Sequence, residues 1–144
     1  MNKKVYLASP FFNADQVAIR DEVKSLLDKY GFDVFSPGHD NLIPSDGTQD
    51  QLINGFRRNL SEIDKCDFMV AVGNGYDTGT IIEIGYAYKS KIPVVYFNNS
   101  NDGKTRNLML AGASFMSAES YAELDLILSV IDNKKEYIEW GKYG

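Results

Sequence analysis

Phe68-Met69-Val70-Ala71-Val72 is the clearest fold signal in the chain, because five consecutive apolar residues predict a strand that is buried on both faces. Such strands belong to parallel sheets that are covered by helices. A polar turn from Asn74 to Asp77 follows, and a helix that contains Glu83 comes next. This order of strand, turn and helix predicts an α/β protein.

On both sides of this strand, short β-rich runs alternate with segments of helical period. The predicted strands lie at residues 5–8, 32–35, 68–72, 93–97 and about 114–116. The predicted helices cover about residues 14–30 and 48–65, the segment around Glu83, and about 118–132. Gly31 occupies a helix C-cap position. Since there is no linker or repeat, residues 1–144 are expected to form one domain with a five-stranded, doubly wound parallel sheet and helices on both faces.

Composition and charge narrow the possible ligands. The chain of 144 residues is 44% hydrophobic and has a net charge of −5, with no basic run, which disfavours a nucleic-acid polymer as partner. The single Cys66 and the single His39 provide no disulfide and no Cys- or His-based metal site, so no metal is expected. The absence of a leader or of a long apolar segment predicts a soluble cytoplasmic protein that does not engage a membrane.

Glu83 is a carboxylate in an apolar helical turn. We expect Ile81, Ile82, Ile84 and Ala87 to bury this turn and to desolvate Glu83. A buried carboxyl group is costly unless it is paired, protonated or used in chemistry. The alternative is an ordinary amphipathic helix in which Glu83 faces the solvent.

Carboxylate chemistry is the reaction class that these residues favour. Gly73-Asn74-Gly75 lacks the remaining residues of a dinucleotide fingerprint or a phosphate loop, so no cofactor is expected. Ser9 and Cys66 lack the partners of an activated nucleophile. Glu83 and Asp77 form a carboxylate pair that suits a retaining glycosidic transfer, although Asp77 also fits a helix N-cap.

Four segments of the chain form an ordered set of motifs, which are Val5-Tyr6-Leu7-Ala8-Ser9-Pro10 with Phe12, Asn59 to Asp67, Asp77-x-Gly79-x-x-x-Glu83-x-Gly85-Tyr86-Ala87, and Asn107-Leu108-Met109. Together they resemble the nucleoside 2-deoxyribosyltransferase family. The third is the most specific, and the order and spacing of all four strengthen the resemblance.

The resemblance implies a flavodoxin-like fold and an enzyme that exchanges the base of 2′-deoxynucleosides with free nucleobases. It implies a covalent deoxyribosyl intermediate on Glu83, sugar contact by Asp77, and a homo-oligomer in which Asn107 reaches the neighbouring subunit's site. The substrate-binding residues that it assigns are Tyr6, Ser9, Phe12, Asn59, Gly79, Asn107 and Met109.

Asn59 departs from the family pattern, in which many members have an acid that contacts or protonates the base. An amide cannot act as a general acid at neutral pH. The proton donor is therefore open among Asp46, Asp40, Asp77 and water, and Asn59 can also be a helix-surface residue.

Three aromatic residues near the first strand, Tyr6, Phe11 and Phe12, have two possible roles. They can stack on a nucleobase or belong to the hydrophobic core.

Two other functions compete with base exchange. One is hydrolysis of deoxynucleoside 5′-monophosphates by an N-glycosidase, which the negative charge of Asp77 disfavours because it repels a phosphate dianion. The other is a non-catalytic module that binds a nucleoside or nucleotide, which leaves the position of Glu83 unexplained.

Overall fold

The chain forms a five-stranded sheet covered by six helices in the computed structural model, which describes residues 2–100 and 107–133. The strands are β1 (Lys4–Ala8), β2 (Asp33–Phe35), β3 (Phe68–Val72), β4 (Val94–Phe97) and β5 (Met116–Ala118). The helices are α1 (Ala14–Lys29), α2 (Pro37–Asp40), α3 (Gln49–Lys65), α4 (Thr78–Lys89), α5 (Leu108–Ala113) and α6 (Tyr121–Asn133). All strand pairs are parallel in the order β2-β1-β3-β4-β5, which confirms the predicted flavodoxin-like α/β fold.

The side chains of β1 alternate between two apolar layers. Val5 and Leu7 pack with residues of α1 and α6 on one face of the sheet, whereas Tyr6 and Ala8 pack with α3, α4 and α5 on the other. All five residues of β3 are buried, as the apolar run predicts. Both faces of the sheet are therefore covered by helices, and a ligand site is expected at the carboxyl ends of the strands.

The strand order creates a crevice at that edge. From β1 the chain crosses through α1 to β2, whereas from β3 it crosses through α4 to β4 on the other side. The two connections diverge between the neighbouring strands β1 and β3, and ligands of open α/β sheets bind at such a point. The loops after β1 and β3 therefore frame the candidate site.

Two short helices, one strand and the start of the final helix differ from the sequence prediction. The predicted loop 36–47 contains α2, a single turn that starts with Pro37, and α5 follows Asn107. The last strand was expected near 114–116 but begins at Met116, because Ser114 still serves as the C-cap of α5. The final helix accordingly starts at Tyr121 rather than at Ala118.

The predicted loop 98–104 lies only partly within the described ranges, which end at residue 100 and resume at 107. Within residues 2–100 and 107–133, every helix is too short or too polar to cross a lipid bilayer.

Candidate active site

Tyr6 and Glu83 meet at the carboxyl side of the sheet. Tyr6 lies in β1 on the face that α4 covers, and its hydroxyl group donates a hydrogen bond to Oε2 of Glu83. The Tyr6 side chain is completely buried and stacks on Phe35 with ring centroids 5.6 Å apart. Tyr6 thus belongs to the core, where its hydroxyl group positions the carboxylate.

Helical geometry places Glu83 at the margin of the buried face of α4. Thr80, Ile84 and Ala87 are the buried residues of this helix, at a spacing that aligns them on one face. The expectation that Ile81 and Ile82 bury the segment is wrong, because they are 38% and 62% exposed. They lie on the outer side of the helix, whereas Glu83 is partly buried and contacts Tyr6 of β1.

Burial is the largest influence on the ionisation of Glu83. It raises the pKa of Glu83 from 4.5 to about 7, with a smaller upward contribution from the negative charge of Asp77. The hydrogen bond from Tyr6 opposes this shift because it stabilises the charged form. In turn, burial and the negative charge of Glu83 raise the pKa of the Tyr6 hydroxyl group, which therefore stays protonated and remains a donor.

Asp77 caps α4 and also lies beside Glu83. Its Oδ2 atom accepts hydrogen bonds from the backbone amide of Thr80 at 2.9 Å and from the Thr80 hydroxyl group at 3.1 Å. The N-cap alternative considered for Asp77 is thus observed. Both bonds end on the same oxygen, so Oδ1 takes no part in the cap.

A strained turn connects β3 to Asp77. The amide of Tyr76 donates to the carbonyl oxygen of Gly73 at 3.0 Å, and Tyr76 adopts a φ of 53°, which is uncommon for a residue other than glycine. A Cβ atom at Gly73 would overlap the Tyr96 hydroxyl group, so any side chain there would force Tyr96 to move. The turn that leads into α4 is therefore tightly packed and has an uncommon backbone conformation. Such conformations are frequent at functional sites.

Asn59 is held by a second amide that the sequence analysis did not identify, Asn41. Nδ2 of Asn41 donates to the Gly55 carbonyl oxygen at 3.0 Å and to Oδ1 of Asn59 at 2.8 Å. In an asparagine side chain only the amide nitrogen can donate, so the Gly55 carbonyl oxygen fixes which way the Asn41 amide faces. Asn41 in turn fixes which way the Asn59 amide faces. Asn59 is therefore left with its NH₂ group to offer a ligand.

The loop after β1 provides Ser9, Phe11 and Phe12. Ser9 is partly buried and its hydroxyl group donates to the Pro10 carbonyl oxygen at 3.2 Å. Phe12 is 74% exposed and stacks on Phe11 with ring centroids 5.3 Å apart. Of the three aromatic residues considered for base stacking, Phe12 is thus the most exposed, Phe11 is 37% exposed and Tyr6 is buried.

Asn107 is exposed and caps α5. Its Oδ1 atom accepts from the amides of Met109 and Leu110, at 2.9 and 3.1 Å. The hydrogen bonds described for Asn107 stay within this helix, and the side chains of Leu108 and Met109 are 84% and 77% exposed. Among the described residues, no hydrogen bond joins Asn107 or Met109 to Glu83.

Cys66 and His39 are two further side chains with possible reactivity. Cys66 is buried at the C-terminus of α3, and burial raises the pKa of its thiol to about 12. His39 contacts Ser36 at 2.9 Å and Asp21 at 3.3 Å. Among the described residues, no group of three or more His, Cys, Asp and Glu side chains has the arrangement of a metal site.

A family model described as nucleoside 2-deoxyribosyltransferase matches residues 5–120. A search of curated proteins gave no match. Among solved structures, the chain is similar to a 2-deoxyribosyltransferase from the psychrotolerant bacterium Bacillus psychrosaccharolyticus. The two share 31% sequence identity with a TM-score of 0.77, over 85% of this chain and 90% of the other.

Two more distant structures share the fold. A conserved protein from Enterococcus faecalis V583 matches with a TM-score of 0.72 at 19% identity, over 92% of this chain and 99% of the other. A CMP N-glycosidase from Clostridium botulinum matches with a TM-score of 0.57 at 19% identity, over 89% of this chain and 98% of the other. At such identities only the architecture carries over.

Proposed function

The chain belongs to the nucleoside 2-deoxyribosyltransferase family and is therefore an enzyme, and from this premise we propose that it exchanges the base of 2′-deoxynucleosides through a deoxyribosyl intermediate on Glu83. One observation carries the proposal. Glu83 is a partly buried carboxylate whose pKa is raised to about 7, and Tyr6 holds it beside Asp77. A carboxylate in this setting can be ionised at neutral pH and remain poorly solvated, as a nucleophile requires.

The first step transfers the sugar to the enzyme. A carboxylate oxygen of Glu83 bonds to C1′ of the nucleoside while the bond from C1′ to the base nitrogen breaks. The base leaves with the electron pair and takes up one proton. An oxocarbenium-like transition state carries positive charge at C1′, which Glu83 and Asp77 stabilise.

The second step returns the carboxylate. A nitrogen of an incoming base attacks C1′, the bond from C1′ to Glu83 breaks, and the new base loses a proton. Over both steps the protons balance and no cofactor is needed. Water in place of the second base gives hydrolysis.

The proton for the leaving base comes from Asp46 or water in this proposal. Asn59 cannot supply it, because an amide is not an acid at neutral pH. Asp40 accepts a bond from the Ser36 amide at 2.9 Å, and Asp77 accepts two bonds from Thr80. Both carboxylates thus already accept hydrogen bonds within their own turns, which leaves them less free to turn toward a base. Asp46 is exposed.

The remaining site residues bind the substrate. Asp77 accepts a bond from the 5′-hydroxyl group of the sugar through Oδ1, the oxygen outside the helix cap. Phe12 stacks on the base and the Asn59 amide bonds to its edge. Ser9, on the loop after β1, and Gly79, in the first turn of α4, border the sugar. Gly79 leaves space beside Asp77, since a Cβ atom there would lie 3.2 Å from Oδ2.

The direct test is to incubate the protein with thymidine and adenine and to look for thymine and deoxyadenosine. Glu83→Ala is expected to lose transfer, and Glu119→Gln, which changes an exposed acid, is the control. Mass spectrometry is expected to detect a deoxyribosyl adduct on a wild-type peptide that contains Glu83. Retention of a substantial rate by Glu83→Ala would refute the nucleophile assignment. Binding without exchange would support a non-catalytic module instead.

We also propose that the protein is a homo-oligomer whose subunits share sites, with Asn107 and Met109 acting on the neighbouring subunit's substrate. The exposure of Asn107, Leu108 and Met109 supports this arrangement, because large exposed apolar side chains often mark an interface. We further propose that the protein forms a single domain over residues 1–144 and that it acts in nucleotide salvage in the cytoplasm.

Subunit exchange tests the sharing of sites. Mixing Glu83→Ala with Asn107→Ala creates hybrids in which one site carries both defects and another carries neither. Activity is expected to rise above the sum of the two separate variants. If hybrids form without recovery, Asn107 acts in its own chain, and a monomer by ultracentrifugation would rule out sharing.

A further inference from the structure

Thr80 places a hydroxyl group on the buried face of α4, whose other residues are apolar. Its side chain is 2% exposed and lies on the same buried face of α4 as Ile84 and Ala87. A buried hydroxyl group is unfavourable without a partner. Its partner here is Oδ2 of Asp77, at 3.1 Å.

The helix cap does not require this hydroxyl group. The backbone amide of Thr80 already donates to Asp77 Oδ2 at 2.9 Å, which is the usual N-cap bond, and any residue at position 80 would provide it. The second donor reaches the same oxygen from a different direction. Two donors on one oxygen restrict the rotation of a carboxylate more than one does, and so they also fix the direction of Oδ1.

We propose that Thr80 is a positioning residue, which orients Asp77 so that Oδ1 accepts the 5′-hydroxyl group of the deoxyribose. This inference rests on the proposed function. It assigns to Thr80 the preference for a free 5′-hydroxyl group, because a fixed anion binds that donor and repels a 5′-phosphate. Gly79 contributes by leaving the space next to Oδ2 without a side chain.

Thr80→Val and Thr80→Ser separate the hydroxyl group from the shape of the side chain. Thr80→Val keeps the volume and loses the donor, and we expect KM for thymidine to rise about fivefold while kcat stays within about twofold. Thr80→Ser retains the donor and is expected to keep the wild-type KM. The preference for thymidine over its 5′-monophosphate is expected to fall in Thr80→Val only, whereas a purely structural role would affect both substrates alike.

A double-mutant cycle shows whether Thr80 acts through Asp77. In an Asp77→Ala background, which removes the acceptor, Thr80→Val is expected to change KM much less than in the wild type. Full additivity of the two effects, or a wild-type KM and substrate preference in Thr80→Val, would overturn the proposal. If Thr80→Val does not fold, Thr80→Ala against Thr80→Ser makes the same comparison. An inactive wild-type protein would instead refute the proposed function, so the two failures are distinguishable.

Discussion

Replacing Glu83 by glutamine is expected to stabilise the folded protein above pH 7 and to leave its stability nearly unchanged at pH 4. Glutamine retains an oxygen that can accept the bond from Tyr6, but it carries no charge to desolvate. The variant therefore removes the unfavourable burial of a carboxylate while it preserves the local contacts. It is also expected to lose transfer, so stability and activity should change in opposite directions.

The magnitude follows from the raised pKa of Glu83. Below pH 4.5 the carboxyl group is protonated in both the folded and the unfolded chain, and it contributes nothing to the pH dependence. Between pH 4.5 and about 7 the unfolded chain ionises first, so the folded state loses stability as the pH rises. At about 1.4 kcal/mol per pKa unit, the full loss above pH 7 is about 3 kcal/mol. This loss corresponds to roughly 10 °C in Tm for a chain of this size.

Urea unfolding of the wild type and of Glu83→Gln at pH 4, 5, 6, 7 and 8 measures this effect, because the other titrating groups cancel in the difference. The free energy difference is expected to grow from near zero to about 3 kcal/mol in favour of Glu83→Gln. Glu119→Gln, at an exposed position, is the matched control and should show no such growth. A difference that does not change with pH would refute the claim that Glu83 is desolvated.

Three further outcomes are expected. Asp77→Ser removes a negative charge beside the sugar, so the ratio of kcat/KM for a nucleoside to that for its 5′-monophosphate should fall about tenfold, and an unchanged ratio would make Asp77 only a helix cap. Gly73→Ala should lower the free energy of unfolding by about 2 kcal/mol, because the new methyl group overlaps Tyr96, whereas Gly112→Ala, with no atom within 4 Å, should not. Uridine should react much more slowly than deoxyuridine if packed side chains close the sugar site, and equal rates would contradict that closure.

The fold could be predicted from sequence because its signals are local. The apolar run Phe68–Val72 became β3 without a change of boundary, and Gly31 has the positive φ of 74° that a residue following a helix often adopts. Less was predictable where a segment depends on its neighbours. The strand β5 is only three residues long and pairs with β4, and its start depends on where α5 ends.

Within the candidate site, Glu83 is the residue that the sequence indicated most clearly. Glu83 stands out because a charge interrupts apolar residues, but the residues that hold it are distant in sequence, since Tyr6 lies 77 positions away. Asn41 lies 18 positions from Asn59, within a loop whose path cannot be derived from periodicity. Thr80 was also missed, because the partner of a buried hydroxyl group can be identified only in the folded chain.

The charge balance around Glu83 explains how an unfavourable resting state can serve the proposed reaction. The influences described on its pKa are burial, the Tyr6 hydroxyl group and the anion Asp77, and none of these is a cation. The folded enzyme thus holds two carboxylates near each other without a described counter-charge at Glu83. In the proposed reaction, a nucleoside that develops positive charge at C1′ supplies this counter-charge at the transition state, where the attraction is strongest because Glu83 is poorly solvated. The carboxylate pair therefore favours the transition state over the neutral substrate, and such differential binding is the condition for catalysis. Desolvation of Glu83 thus has two effects. It lowers the stability of the folded wild-type protein, which Glu83→Gln should recover, and in the proposed reaction it strengthens the attraction between Glu83 and the positive charge at C1′.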